Sequence, residues 1–169
     1  ADPLDLHLDR PHVPSPVPGA TVLHVGAAYG SRLWPADRFA AVAAALDQAG
    51  HHVVFTGGAS EKDRAAEVCR LAGLADEAVL ASRLGLGEFA ATIAAARLVV
   101  SADTGAAHLA SAYGTPSVVL FGPAPPEIWG PPPGPHVRTR PCWRSVCRTS
   151  WQRCGSWVSN RLFRESSSV

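Results

Sequence analysis

The segment Asp103-Thr104-Gly105-Ala106-Ala107-His108 contains residue types that can bind a phosphate group. Thr104 offers a hydroxyl donor, Gly105 lets a ligand approach the backbone closely, and His108 follows within one helical turn. An apolar run precedes the segment and helix-forming residues follow it. The first N–H groups of such a helix have no acceptor inside it, and the helix dipole favours an anion there. The pattern therefore predicts a phosphate site at the start of a helix.

The same residues are also compatible with a purely structural role. Asp103 and Thr104 can cap the helix, and His108 can be a surface histidine satisfied by its neighbours. The spacing alone does not decide between these two interpretations.

Short apolar runs alternate with segments of helical periodicity, which predicts an α/β fold. The predicted strands cover 21–25, 52–56, 78–80, 98–101 and 117–121, and the third is the weakest. Four predicted helices lie between them. The first begins after Trp34-Pro35 and ends at Gly50, and the second covers 61–72, with Ser60 as its cap and Gly73 after it. The third lies around 89–96 and the fourth covers 104–113. Strands apolar on both faces indicate a parallel sheet, and right-handed crossovers make it doubly wound.

Ligands of doubly wound sheets bind beyond the carboxyl ends of the strands. Three loops at that edge are rich in glycine or small polar residues, namely 26–34, 57–62 and 102–108. The phosphate segment lies in the third loop, so we expect the first two loops to complete its site.

The composition is that of a globular domain, with 169 residues, 47% hydrophobic and 17% charged. No apolar run approaches the roughly 18 residues of a membrane-spanning helix, and the N-terminus lacks the pattern of a signal peptide. The net charge of +1 conceals an uneven distribution, because 1–130 carry eight basic and thirteen acidic residues while 131–169 carry seven arginines and one glutamate. We therefore divide the chain into a proline-rich arm (1–19), a Rossmann-like domain (20–130) and a tail (131–169).

The tail holds three of the four cysteines, Cys142, Cys147 and Cys154, and three of the five tryptophans. With His136 these cysteines match no common zinc spacing, so we predict no metal site. Arginines interleaved with tryptophans are a weak nucleic-acid pattern, and a solvated or acceptor-facing strip fits better. The remaining cysteine, Cys69, lies in the body, which suits a reducing, cytoplasmic compartment.

Taken together, the motifs resemble the C-terminal half of glycosyltransferase family 9, the ADP-heptose:lipopolysaccharide heptosyltransferases and their relatives. The resemblance is carried by Leu-His-Val-Gly-Ala at 23–27, Ser-Arg-Leu-Trp-Pro-Ala-Asp-Arg-Phe at 31–39, Phe-Thr-Gly-Gly at 55–58, the run 98–110 around Asp-Thr-Gly, Gly-Thr-Pro at 114–116 and Phe-Gly-Pro at 121–123. It implies the GT-B fold, in which two Rossmann-like domains bind a nucleotide-sugar mainly through the C-terminal one. This chain would be that donor-binding domain, without the N-terminal acceptor domain.

The resemblance assigns donor-site roles to seven positions. Arg32 stands where the family usually has a phosphate-binding lysine. Ser60 lies near a nucleoside-contacting acidic position, with Glu61 next to it, and Leu84 lies beside the base. The diphosphate and sugar would be contacted by Asp103, Thr104, Gly105 and His108. Ala27 and Ala28 stand where relatives often have hydroxyl residues. On pattern alone, Ser60 is equally compatible with a helix cap and Leu84 with a core position.

The resemblance implies transfer of a sugar from an ADP-heptose-like nucleotide-sugar donor to a glycan or lipopolysaccharide-type acceptor. The helix N-terminus, Arg32, Thr104 and His108 can stabilise the departing diphosphate without a metal or cofactor. The general base is expected in the missing domain, so we predict that this chain alone binds donor without turnover, at the inner face of the membrane through its acceptor. Two alternatives stay open: a non-catalytic nucleotide-binding module, and another GT-B relative such as a nucleotide-sugar epimerase.

Overall fold

The computed structural model describes residues 8–27 and 33–121, together with the backbone of 136–139. Within these ranges five strands form one parallel sheet in the spatial order β2-β1-β3-β4-β5. The strands are β1 Thr21–His24, β2 Val53–Thr56, β3 Leu98–Ala102, β4 Ser117–Leu120 and β5 His136–Thr139. The helices are α1 Ala36–Gln48, α2 Lys62–Ala72, α3 Leu86–Ala94 and α4 Gly105–Ala112.

Helices cover both faces of the sheet, because alternate residues of each strand point to opposite sides. On one face α1 and α2 pack on a cluster that includes Leu23, Phe55 and Val100. On the other face α3 and α4 pack on a cluster that includes Val22 and Val99. The predicted α/β fold with a doubly wound parallel sheet is therefore confirmed.

The predicted third strand at 78–80 is wrong in extent. Only Val79 forms a bridge, parallel to Phe55 of β2, because a 3-10 turn over Asp76–Ala78 precedes it and Ser82, at φ 61°, turns the chain away just after it. With that bridge counted as a strand, the order across the sheet becomes 3-2-1-4-5-6, the order of dinucleotide-binding folds. The reversal of direction then lies between β1 and β3.

The sheet also extends past residue 130, into the part of the chain assigned above to the tail. β5 pairs with β4 in parallel, with His136 opposite Ser117. The proline-rich run before it and its polar composition gave no strand pattern, since an edge strand needs fewer apolar residues than a central one.

Glycines end two helices as predicted. Gly50 follows α1 at φ 80° and Gly73 follows α2 at φ 73°, a left-handed conformation that glycine adopts without steric cost. α1 begins after Pro35, where Trp34 packs edge-on against Phe39 with ring centroids 5.0 Å apart.

Residues 8–19 contain no helix or strand and lie against α3. The N–H of Gly19 donates to the carbonyl of Ala95 over 2.8 Å, and the Arg10 guanidinium donates to the carbonyl of Ala94 over 3.1 Å. These contacts satisfy carbonyls at the C-terminal end of α3 that have no partner inside the helix.

Candidate functional site

The carboxyl ends of β1, β2 and β3 lie side by side and in register. His24 of β1 stands opposite Thr56 of β2 and Ser101 of β3. The loops that follow these strands therefore leave the sheet at neighbouring points, on either side of the place where strand order reverses. Doubly wound sheets bind their ligands in the crevice at such a point.

α4 begins directly at this edge, and its first residues have the features of an anion site. Thr104 is the N-cap residue in extended conformation, and its carbonyl accepts from the N–H groups of Ala107 and His108 over 3.0 and 3.3 Å. The preceding N–H groups, those of Gly105 and Ala106, have no acceptor within the helix. Gly105 is exposed, and a Cβ added there would meet nothing within 4 Å. A ligand thus has room to reach the helix N-terminus.

The Thr104 hydroxyl does not cap α4. Its Oγ1 is buried and has no hydrogen-bond partner among the described residues. A buried hydroxyl without a partner costs free energy. The structure therefore disagrees with the interpretation that the side chain of Thr104 caps α4.

Asp103 and His108 lie on either side of this helix start. The carboxylate of Asp103 is 8% exposed, whereas the imidazole of His108 is 59% exposed, and Nε2 lies 3.7 Å from Oδ1. The imidazole of His108 therefore lies largely in solvent on the first turn of α4. The structure brings together four of the predicted site residues, Asp103, Thr104, Gly105 and His108.

The other three predicted positions differ in outcome. Ser60 is exposed in a 3-10 turn over Ala59–Glu61 and makes no cap, so its predicted capping role is wrong. Leu84 is half-buried in the loop before α3, at the same edge of the sheet as Ser60. Arg32 lies outside the described residues, as does Ala28, while Ala27 is half-buried.

Glu61 takes the place that Ser60 was expected to fill at the start of α2. Its carboxylate accepts from the N–H of Gly58 over 2.6 Å. The same carboxylate lies where a side chain of Gly26 would be, since an added Cβ would overlap it. Glu61 thus connects the loops that follow β1 and β2.

Arg64 of α2 holds the loop after β1 at two points. Its Nε donates to the carbonyl of Val25 over 2.9 Å, and its Nη2 donates to the carbonyl of Trp34. These two carbonyls flank the region of Arg32, so α2 fixes both ends of that loop.

His24 ends β1 on the face covered by α3 and α4. Its Nδ1 lies 3.1 Å from the Thr56 hydroxyl, and its ring is 5.5 Å from that of Phe89. Burial lowers the pKa of His24, and the nearby Glu61 carboxylate opposes this in part. The Ser101 hydroxyl, next in the same row, is buried and unpartnered within the described ranges.

Sequence reasoning missed both His24 and Ser101 as polar groups of this edge. Each stands inside a short apolar run, where one polar residue looks like an ordinary strand position. Their position was the signal that could have identified them, because each is one of the last two residues of a strand that precedes a Gly-containing loop.

Two further findings concern what the described residues hold. No group of three histidine, cysteine, aspartate or glutamate side chains in the ranges 8–27 and 33–121 is placed to bind a metal ion. None of the helices in the part that the structure describes is both long and apolar enough to cross a bilayer.

Residues 11–145 match the family model of glycosyltransferase family 9 (heptosyltransferase). The chain belongs to this family. Among curated relatives, lipopolysaccharide heptosyltransferase 1 of Pseudomonas aeruginosa is 37% identical over 130 residues, which is 75% of this chain and 36% of the relative. Lipopolysaccharide heptosyltransferase 2 of Escherichia coli K12 is 31% identical over 110 residues, covering 63% of this chain and 32% of the relative.

A solved structure of E. coli ADP-heptose lps heptosyltransferase II superposes on this family 9 chain with a TM-score of 0.74 at 26% identity. The match covers 90% of this chain and 49% of that one. The chain thus spans about a third of the curated relatives' length and about half of that solved structure. The resemblance to family 9 that the motifs indicated is therefore confirmed.

Proposed function

We propose that this chain forms the nucleotide-sugar donor site of a heptosyltransferase-type enzyme. The observation that carries the proposal is the Thr104 hydroxyl, which is buried without a partner at the N-terminus of α4, beside the exposed Gly105. A diphosphate oxygen is the group that such a hydroxyl and the adjoining N–H groups would bind. Membership of family 9 supports a sugar diphosphate over other phosphorylated ligands.

The proposed site stabilises the leaving group of the reaction. Negative charge builds on the diphosphate as the bond to the sugar breaks, and the positive end of the α4 dipole faces that charge. Thr104 and the exposed His108 add hydrogen-bond donors, and Arg32 would add a positive charge. No metal ion is required for this arrangement.

ADP is the proposed nucleotide, because relatives of similar fold are named for it. One is an ADP-heptose lps heptosyltransferase, and another solved E. coli heptosyltransferase contains ADP. In this chain the base would pack beside Leu84 and the nucleoside near Ser60 and Glu61. The sugar would be a heptose or a similar one, transferred to a glycan or lipopolysaccharide-type acceptor at the inner face of the membrane.

The general base is proposed to belong to another domain, since the resemblance to family 9 makes Asp103 a proposed donor-site contact. The isolated chain should then bind donor and not turn over.

A non-catalytic nucleotide-binding module is the alternative, and it would bind the nucleotide without discriminating for the sugar. A nucleotide-sugar epimerase would convert the sugar of its donor without any acceptor, which product analysis would detect.

Calorimetric titration of the chain with ADP-, UDP- and GDP-sugars tests the proposal. We expect saturable binding of the ADP-sugar. Thr104→Ala together with His108→Ala should raise Kd by roughly tenfold or more. A charge-assisted contact contributes about 1.5–3 kcal/mol where it is buried, and less at the exposed His108. Ser111→Ala, at the other end of α4, is the matched control and should leave Kd unchanged. An ADP-sugar affinity that the double variant does not alter would show that the site is elsewhere.

A further inference from the structure

His24 occupies a place in the site that the reaction described above does not use. It is the last residue of β1, and the loop containing Gly26 follows it directly. Its hydrogen-bond partner Thr56 is the last residue of β2, directly before Gly57 and Gly58. A single contact of 3.1 Å therefore joins the exit points of two loops that border the proposed donor site.

We propose that His24 is a positioning residue of the donor site, which fixes the exits of β1 and β2 relative to each other through its hydrogen bond with Thr56. The inference rests on the proposed function, since the loops matter only if a nucleotide-sugar binds between them. His24 acts through Thr56 and need not touch the ligand.

Glu61 provides the second connection between the same loops. Its carboxylate accepts from the Gly58 N–H over 2.6 Å and fills the space beside Gly26. A Cβ at Gly57 would also stand 3.0 Å from the Cβ of Glu61. The first residues of both loops therefore pack around one carboxylate, whose charge also acts on the His24 imidazole.

The surroundings of His24 favour a neutral, hydrogen-bonding imidazole over a charged one. Phe89 packs against the ring, and burial lowers the pKa of His24. Strands β2 and β3 contribute no charged side chain, whereas the neighbouring turn contributes Glu61, α3 contributes the exposed Glu88, and the start of α4 contributes Asp103 and His108. At neutral pH the imidazole therefore orients Thr56 instead of supplying a cation to the diphosphate.

The sheet contains a second histidine–threonine pair that provides a matched control. At the amino end of β1, Thr21 Oγ1 lies 2.7 Å from His51 Nδ1, and both residues are buried. Breaking either pair removes the same kind of hydrogen bond from the same sheet. Only the pair of His24 and Thr56 adjoins the loops of the site.

Binding of an ADP-sugar to the full chain tests the proposal at neutral pH. Thr56→Val should raise Kd about three- to tenfold, the factor that corresponds to about 0.7–1.4 kcal/mol for one hydrogen bond. Thr56→Ser should restore the affinity to within about twofold, because it returns the hydroxyl. Thr21→Val should lower stability and leave Kd within about twofold of the parent.

Nuclear magnetic resonance of the ligand-free chain tests the connection without any nucleotide. The Gly58 amide resonance should shift with the same midpoint as the His24 ring, below pH 6.5, because protonated His24 attracts the carboxylate that Gly58 contacts. His24→Asn should abolish that transition, and His108→Gln should leave it in place.

The outcomes separate this inference from the proposed function. If the parent chain binds no ADP-sugar, the proposed function fails and the His24 inference fails with it, whereas a parent that binds ADP-sugar but whose Gly58 amide ignores the titration of His24 overturns the inference alone. If the parent binds and Thr56→Val and Thr21→Val have equal effects on Kd, His24 and Thr56 are structural only and the inference is wrong.

Discussion

Gly105 combines an ordinary helical backbone with open space where a side chain would be. Its φ is not positive, and an added Cβ meets no atom within 4 Å. Nothing in the fold of the described residues therefore requires glycine at this position. A diphosphate that approaches the first N–H groups of α4 would require it, because a methyl group would occupy part of the same space.

We predict that Gly105→Ala separates binding from stability. The free energy of unfolding should stay equal or rise by up to about 1 kcal/mol, because alanine favours the helix, while Kd for an ADP-sugar should rise about tenfold. Denaturant unfolding and calorimetry measure the two effects. Gly114→Ala, just after the C-terminal end of α4 at φ 66°, should do the reverse: a loss of about 1 kcal/mol in stability with Kd unchanged. A Gly105→Ala variant that binds normally would argue against a ligand at this point.

Small residues let α4 lie close to the sheet, and this sets the position of its N-terminus. Ala106 and Ala110 are 1% and 0% exposed and pack with Val99 of β3. The site therefore depends on the contact between an element and the sheet as well as on the residues at its start. A larger side chain in that contact would displace the whole helix.

Ala110→Leu should lower the free energy of unfolding by about 1–3 kcal/mol through overpacking and also weaken ADP-sugar binding several-fold, because it moves the N–H groups of α4. The matched variant is Ala43→Leu in α1, at a position that is equally buried on the opposite face of the sheet. It should lose comparable stability and bind normally. Equal affinity of the two variants would mean that the placement of α4 does not control binding.

The central strands and helices were predictable because apolar runs mark the strands and glycines mark the ends of two of the helices. Strands could be predicted at Leu98 to Ser101 and at Ser117 to Leu120 because both runs are mainly apolar. The end of α2 could be predicted at Gly73, whose positive φ suits glycine. The edges were not predictable, since Val79 makes a single bridge and β5 is held by pairing with β4 instead of by its own pattern.

The candidate site divides in the same way. The segment from Asp103 to His108 was predictable, because a strand, a glycine and a helix start are adjacent in sequence. The contacts of Glu61 with Gly26, and of His24 with Thr56, join residues about 30 positions apart or more. Such pairs arise only from the register of neighbouring strands, which a single sequence does not specify.

Among the residues that the structure describes, burial lowers the pKa of two histidines, His24 and His51. For His24 burial is opposed by Glu61, and for His51 the lowering by burial is increased by Arg97. In the unfolded chain both titrate near pH 6.5. Folding therefore favours their neutral forms, so their contribution to stability is complete above pH 6.5 and is lost as the pH falls from there through the folded pKa values.

We predict that the free energy of unfolding falls between pH 7.5 and pH 5.5, as measured by denaturant titration at fixed ionic strength. His51→Gln should make this dependence less steep, because it removes one of the two groups. Ala66→Gln, an exposed change on α2 that adds and removes no titratable group, should not alter the slope. A parent chain whose stability is constant or rises on acidification would contradict the burial of both imidazoles as neutral groups.

The proposed donor site at the start of α4 is tested most directly by a crystal structure of the chain with an ADP-sugar bound. We predict diphosphate oxygens within about 3.2 Å of the Gly105 or Ala106 N–H and of the Thr104 hydroxyl, with the base toward Leu84. A diphosphate bound elsewhere, with the Thr104 hydroxyl still unpartnered, would contradict the assignment of this edge of the sheet as the donor site.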